Sequence, residues 1–278
     1  MSFEQLSIDA KVVLNNGIEM PVFGLGTYLS GTSQETQEIV LHALEIGYRH
    51  IDTARFYGNE RDIGIAIKKS GIPRDEIFVT TKLWNSDHGF NRALEAFEES
   101  LEDLGLDYVD LYLIHWPVQG LRNESWRALE KLQVEGKCRA IGVSNYTIGH
   151  LKELLDISPV MPAVNQVEFS PFLYQKDLLE FCRSNNIQFE SYSPLTKGHM
   201  LDDPRLSEIA QEYAKSVAQI LIRWTLQKGV IVIPKSSRKE RIRENADVFD
   251  FVITPEDMDR LDALHENLRV SWDPTTIS

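Results

Sequence analysis

The segment running from YRHID (48–52) through IFVTTK (77–82) to YVDLYLIH (108–115) decides how this chain folds. Each of the three runs is a short apolar strand that closes on a polar residue, Asp52, Lys82 or His115, and each interval is long enough for one crossover helix. Working outward, CRAIGVSN (138–145), AVNQVEF (163–169), IQFESY (187–192) and VIVIPK (230–235) repeat the pattern. The polar ends Asp52, Lys82, His115, Ser144, Gln166, Tyr192 and Lys235 are spaced by 30, 33, 29, 22, 26 and 43 residues. The longest step holds two helices, near 203–214 and 216–228, so it hides no strand. In the other direction PVFGLGTY (21–28) lies about one unit before Asp52 and makes the eighth strand. Eight parallel strands with helical crossovers are the count of an α/β (β/α)8 TIM barrel; an open doubly wound sheet usually stops nearer six.

The intervening segments have helical periodicity. In NRALEAFEESLEDLG (91–105), Leu94, Phe97, Leu101 and Leu104 recur every three or four residues and share a face. KVVLNNGIEM (11–20) places two apolar arms around Asn16-Gly17, a pair suited to a tight hairpin turn, and such a hairpin is expected to plug one barrel end. Thr254-Pro255-Glu256-Asp257 supplies an N-cap, a first-turn proline and acidic residues, predicting a helix to about Glu266 with residues 268–278 as a tail. No linker or low-complexity stretch divides residues 1–278, so a single domain is expected.

With 42% hydrophobic and 26% charged residues, and only 11 Pro and 16 Gly in 278 positions, the chain is neither disordered nor collagenous. The formal charge of -13 repels nucleic acid and anionic lipid, so an anionic ligand needs a local basic patch. Cys138 and Cys182 cannot form a disulfide framework and are not in C-x-x-C spacing. The N-terminal segment lacks the features of a secretory signal, and no run approaches the ~20 apolar residues of a membrane span. A cytoplasmic monomer acting without nucleic acid or membrane partners is the expectation.

Residues at the carboxyl ends of barrel strands face one mouth, where active sites of this fold lie. Asp52, Lys82 and His115 therefore converge there, and Tyr57 follows Asp52 in the next loop. A phenol with an ordinary pKa of ~10 gives up its proton poorly near neutrality. A cation ~4 Å away in an effective dielectric of about 20 is worth ~4 kcal/mol, at most ~3 pKa units, and Lys82 is expected to supply that field. Asp52 would hold the ammonium charged and aimed, and His115 would donate or orient a hydrogen bond at a substrate oxygen.

GLGTY, HIDTARFYGNE, TKLW, LIHWP, GVSN, NQVEFSPF, SYSPL and IPKSSRKERIREN follow one another in an order and spacing that resembles the aldo-keto reductases along nearly the whole chain, in particular their short-tailed bacterial type acting on aldehydes, dicarbonyls and keto-sugar acids. That resemblance implies reduction of aldehyde or ketone carbonyls by hydride from NADPH, with Tyr57 as proton donor and Lys82, Asp52 and His115 completing a catalytic tetrad. It further implies that the nicotinamide stacks on Tyr192 while Ser144, Asn145 and Gln166 hold its amide. Gly26, Thr27, Tyr28 and Asp52 are implied to border the cofactor, and Ser193 and Leu195 to follow the pyrophosphate. Lys235, Ser236, Ser237, Arg238 and Arg241 are implied around the 2′-phosphate, and Glu244 with Asn245 at the adenine.

The residues themselves speak to the last point. KSSRKERIR (235–243) carries five basic groups against Glu240, a local +4 in an acidic chain, where barrels commonly bind phosphate after the eighth strand. Two arginines there favour NADP over NAD, because guanidinium suits the geometry of a phosphate. A Rossmann fingerprint fails, since after Gly24 and Gly26 the third glycine is replaced by Leu29. Tyr28, Trp84, Trp116 and Trp272, with His115, are expected to line a relatively open pocket for a small-molecule carbonyl. A Schiff-base lyase using Lys82 as nucleophile and a nicotinamide-binding regulatory subunit with little turnover are the competing readings. No metal is expected, because no second histidine stands at ligand spacing from His115.

Overall fold

The computed structural model of the protein describes residues 6–277; the first five positions of the expected domain, which also open the N-terminal segment, and Ser278 of the expected tail lie outside the described residues. The chain opens on a hairpin, β1 (Lys11–Val13) against β2 (Glu19–Pro21), with Val12 opposite Met20. Its turn is wider than a two-residue Asn-Gly turn. Leu14 N donates to Ile18 O and Gly17 N to Leu14 O, both at 2.9 Å, so Asn15, Asn16 and Gly17 form a three-residue loop. Gly17 takes a φ of +85°, which a side chain would resist. Leu14 and Met20 then pack with Phe78, Leu111, Leu113, Ala140, Val164 and Ile231, so the hairpin plugs the end of the barrel where the strands begin.

Eight parallel strands follow in spatial order: β3 (Leu25–Gly26), β4 (His50–Asp52), β5 (Phe78–Leu83), β6 (Val109–Ile114), β7 (Cys138–Ser144), β8 (Val164–Glu168), β9 (Gln188–Tyr192) and β10 (Ile231–Val232). Parallel bridges Phe23–Val232 and Gly26–Lys235 join the last strand to the first and close the barrel. The outer ring is built from α1 (Ser33–Glu45), α2 (Glu60–Ser70), α3 (Phe90–Leu104), α4 (Arg122–Val134), α5 (Ile148–Ile157), α6 (Lys176–Ser184), α7 (Pro204–Glu212), α8 (Val217–Gln227) and α9 (Lys239–Ala246). The expected TIM barrel is thus present, and the long interval before β10 holds α7 and α8. On α3, Phe97, Leu101 and Leu104 are buried and Leu94 is half-buried, and Gly105 ends the helix in the left-handed region at φ +61°.

Three boundaries differ from the sequence reading. The eighth strand, expected over 230–235, is regular only at Ile231–Val232, because Pro234 has no N–H for the ladder. The first strand, expected over 21–28, is reduced to Leu25–Gly26, with Pro21 closing the hairpin instead. The C-terminal helix α10 (Pro255–Asp262) stops short of Glu266 because the chain turns there to let Glu266 N and Leu268 N both donate to Phe172 O at 3.1 Å. The tail is pinned as well. Val270 N and Ser271 N donate to the two oxygens of Glu168 at 2.6 and 3.1 Å, and His150 Nε2 donates to Ile277 O at 2.9 Å. Both cysteines are free and buried, and burial pushes each thiol up to about 12. Among the described residues no helix is long and apolar enough to cross a membrane.

Candidate active site

Alternation along a strand sends every second side chain inward, so His50 and Asp52 on β4, Thr80 and Lys82 on β5, and Glu190 and Tyr192 on β9 stand above the apolar plug. At the strand ends lies a cavity of about 660 Å³. Asp52, Tyr57 and His115 line it, and Lys82 lies wholly buried beneath them. Lys82 Nζ donates to Asp52 Oδ1 at 2.6 Å, to Thr53 O at 2.8 Å and to Tyr57 Oη at 3.3 Å. All three ammonium hydrogens therefore have acceptors. The Tyr57 ring is 5.7 Å from the His115 ring, edge to face.

Tyr57 sits at the end of a one-turn helix, Arg55–Tyr57, closed by Gly58 at φ +65°. That short turn brings the phenol back over β4. Burial, and after it the charge of Asp52, holds the phenol well above its ordinary value. The expected lowering by Lys82 is absent: at 2.6 Å from Asp52 the ammonium charge is matched by a carboxylate, and the resting phenol keeps its proton. Burial, with Lys82 second, holds the His115 imidazole well below its usual value, so it is neutral near pH 7, and its Nδ1 is buried without a partner among the described residues. Burial raises the Asp52 carboxyl, against Lys82 and Gln166, which lower it.

Ser144, Asn145, Gln166, Tyr192 and Ser193 form the neighbouring wall with Gly26, Thr27, Tyr28 and Lys235. Their mutual bonds fix what each can offer a ligand. Asn145 Nδ2 donates to His115 O (3.0 Å) and Ser144 Oγ (3.1 Å), while Asn145 Oδ1 accepts from Tyr192 Oη (2.7 Å). Ser144 Oγ donates to Gln166 O at 2.8 Å. Gln166 Nε2 donates to Asp52 Oδ2 at 2.8 Å and to Glu190 Oε2 at 2.9 Å, leaving its Oε1 as an acceptor.

Leu195, Ser236, Ser237, Arg238, Arg241, Glu244 and Asn245 do not border this cavity. Leu195 is on the loop after β9, and the others lie in the turn into α9 or on that helix, which Tyr48 Oη ties to the barrel by donating to Ile242 O at 2.9 Å. Among the described residues neither Arg238 nor Arg241 forms an ion pair, and Lys239 pairs with Glu38 at 3.7 Å. Two guanidinium groups therefore stand uncommitted on the surface.

The remaining wall is aromatic. Trp84, Trp116 and Trp272 meet there, with Trp272 5.6 Å from Trp116 and 6.1 Å from Trp84. Sequence reading missed Phe56, which stacks on Trp84 at 3.8 Å, and the tail residues Arg269, Val270 and Ser271, which also border the cavity. It also missed Glu168, which holds that tail, and Lys197, whose Nζ donates to Val270 O at 2.6 Å. Glu190 and His50 had a readable signal: ionisable side chains at interior positions of the strand runs IQFESY and YRHID.

A model described as "Aldo/keto reductase family" matches residues 22–266. The chain is 52% identical over 268 residues to the glyoxal reductase of Bacillus subtilis (strain 168), covering 96% of this chain and 97% of that protein. Among solved structures it resembles MGS-M4, an aldo-keto reductase enzyme from a Medee basin deep-sea metagenome library, with a TM-score of 0.93 and 46% identity over 96% of this chain and 99% of that one. It also resembles a Bombyx mori aldo-keto reductase in complex with NADP, with a TM-score of 0.91 and 37% identity over 96% of each chain.

Proposed function

The chain belongs to the aldo/keto reductase family, and from that membership we propose that it reduces the carbonyl group of small aldehydes, ketones or dicarbonyls to alcohols with NADPH, Tyr57 giving the proton. The observation that carries this reading is the contact of Lys82 Nζ with Tyr57 Oη at 3.3 Å in the cavity floor, with Asp52 behind the lysine at 2.6 Å. The glyoxal reductase relative supports the substrate class, and the relative in complex with NADP supports the cofactor.

Bound NADPH supplies a hydride to the carbonyl carbon. The protein's residues do the rest. Lys82 donates to the phenol oxygen, so the phenol's own hydrogen is free to point at the substrate oxygen. As the C=O electron pair moves onto oxygen, Tyr57 gives up its proton, and the phenolate left behind accepts from Lys82. Lysine thus acts on the state after proton transfer, which accords with a resting phenol held protonated. His115, neutral beside Tyr57, orients the substrate oxygen.

The residues present fit the cofactor. Gln166 Oε1 is an open acceptor for a carboxamide N–H, Tyr192 is locked by Asn145 as a flat wall for ring stacking, and Arg238 and Arg241, without an ion pair among the described residues, are cations for a 2′-phosphate. Ser144 and Asn145 complete the amide site, Gly26, Thr27 and Tyr28 border it, Ser193 and Leu195 follow the pyrophosphate, Lys235, Ser236 and Ser237 join the phosphate site, and Glu244 with Asn245 meet the adenine. Phe56, Trp84, Trp116 and Trp272 shape the substrate side. In this reading the chain works as one barrel domain, monomeric because every group needed comes from a single chain, and cytoplasmic in keeping with two free cysteines.

A lyase would need a lone pair on Lys82 facing the substrate, but the amine is wholly buried and its hydrogens are engaged on three sides. Tyr57→Phe is the test. It should bind NADPH as the wild type does, by fluorescence titration, and lose reduction by roughly 10²–10⁴-fold. Retained turnover would remove Tyr57 from the mechanism and revive the alternatives.

A further inference from the structure

One amide nitrogen in the wall of the site joins two buried carboxyl groups. Gln166 Nε2 donates to Asp52 Oδ2 at 2.8 Å and to Glu190 Oε2 at 2.9 Å. From Asp52 the chain of contacts runs to Lys82 Nζ at 2.6 Å and on to Tyr57 Oη at 3.3 Å. Glu190 is therefore linked to the phenol through four consecutive polar contacts without touching the cavity.

Its surroundings give no other account of its charge. Glu190 is wholly buried in the centre of β9, and among the described residues its Oε1 has no hydrogen-bond partner. The titratable and charged groups facing it are His50 and Asp52 from β4 and Lys82 from β5; β8 presents the neutral Gln166, and β10 presents the apolar Ile231 beside it. His50 Nε2 stands 3.7 Å from Glu190 Oε1, beyond a good hydrogen bond, and is engaged with Thr80 Oγ1 at 3.1 Å. Burial first, then Lys82, brings the His50 imidazole down to about 3, so it brings no positive charge at neutral pH. Lys82 is thus the cation shared by Asp52 and Glu190, and a buried charge without its own counter-ion is expensive.

We propose that Glu190 is a positioning residue for carbonyl reduction: neutral, it leaves Lys82 and Asp52 a balanced pair under Tyr57, and ionised, it adds a negative charge that holds the Tyr57 proton in place and shuts off its donation to the substrate oxygen. The inference rests on Tyr57 being the proton donor. No proton passes through Gln166, whose amide stays intact; the coupling is electrostatic. The charge of Glu190 is among the influences that raise the Tyr57 phenol, after burial, Asp52 and Tyr28. Burial, then Asp52, pushes the Glu190 carboxyl up to about 8. A raised acid is neutral below that value and ionises as pH climbs through it, so the loss of proton donation falls on the alkaline side.

The test compares pH profiles of kcat/KM for glyoxal at saturating NADPH, over about pH 6 to 10, in wild type and Glu190→Gln, with deuterated NADPH reporting on the chemical step. The wild type should lose activity with a midpoint near 8, and Glu190→Gln, which keeps the neutral shape, should move that limb upward by about one pH unit or more. An unchanged limb overturns the proposal. If the variant does not fold, carbon-13 NMR of glutamate-labelled wild type decides: a carboxyl titrating near 8 supports the proposal, and none titrating in that range overturns it. Tyr57→Phe separates the two ideas. Turnover retained in Tyr57→Phe sinks the donor reading and this inference with it, whereas turnover lost there with an unmoved limb in Glu190→Gln sinks the Glu190 role alone.

Discussion

Gly24 carries no functional group, yet a Cβ placed on it would lie 2.5 Å from His50 Nδ1 and 3.0 Å from an Ile233 methyl. The wholly buried imidazole of His50 occupies the space a side chain would need. Both neighbours are buried in packed surroundings, so Gly24→Ala should destabilise the protein by roughly 1–3 kcal/mol, read as a lowered urea midpoint with an unchanged slope. A midpoint equal to wild type would mean that the ring has room to move. Residues of this kind separate what could be read beforehand from what could not. Asp52, Lys82 and His115 were legible because strand ends share a mouth, and Tyr57 because it follows one of them closely. Glu168 was not, because its bonds to Val270 N and Ser271 N span 102 and 103 residues and leave no periodic trace. The direction of the Tyr57 shift was also hidden, since it depends on burial and on a contact between Lys82 and Asp52 that spacing cannot weigh.

Helix α9 carries Arg241 on its exposed face, and among the described residues that cation forms no ion pair. Its N-terminal turn follows β10, where backbone N–H groups and the cations Arg238 and Arg241 can meet an anion together. A charge-assisted hydrogen bond contributes about 1.5–3 kcal/mol. Arg241→Ala should therefore weaken NADPH binding by roughly tenfold or more and leave NADH nearly unaffected, as read by fluorescence titration. Equal affinity of the wild type for the two cofactors would refute the phosphate site. The helices bounded beforehand at 91–105, 203–214 and 216–228 match α3, α7 and α8 to within about two residues at each end. The stop of α10 was less legible, because it is set by a distant acceptor, Phe172 O, and not by the local sequence.

Across the whole barrel, polarity is layered. The apolar plug of Leu14 and Met20 lies at one end, His50, Thr80 and Glu190 above it, the reacting groups higher, and the rim is aromatic, with Phe56 41% and Trp272 60% exposed while Ser144, Asn145 and Gln166 are at most 2% exposed. Because the hairpin stoppers the far end, the cavity, as the described residues frame it, is entered from the mouth. Whatever rests against the inner wall has to arrive before the guest that sits at the threshold, and has to leave after it. Turnover should accordingly show traffic in sequence: NADP competing directly with NADPH, and the alcohol product failing to compete with NADPH in inhibition kinetics. A random order of entry would mean that the mouth admits both guests side by side, since Leu14 and Met20 of the hairpin, Lys11 to Pro21, fill the opposite end.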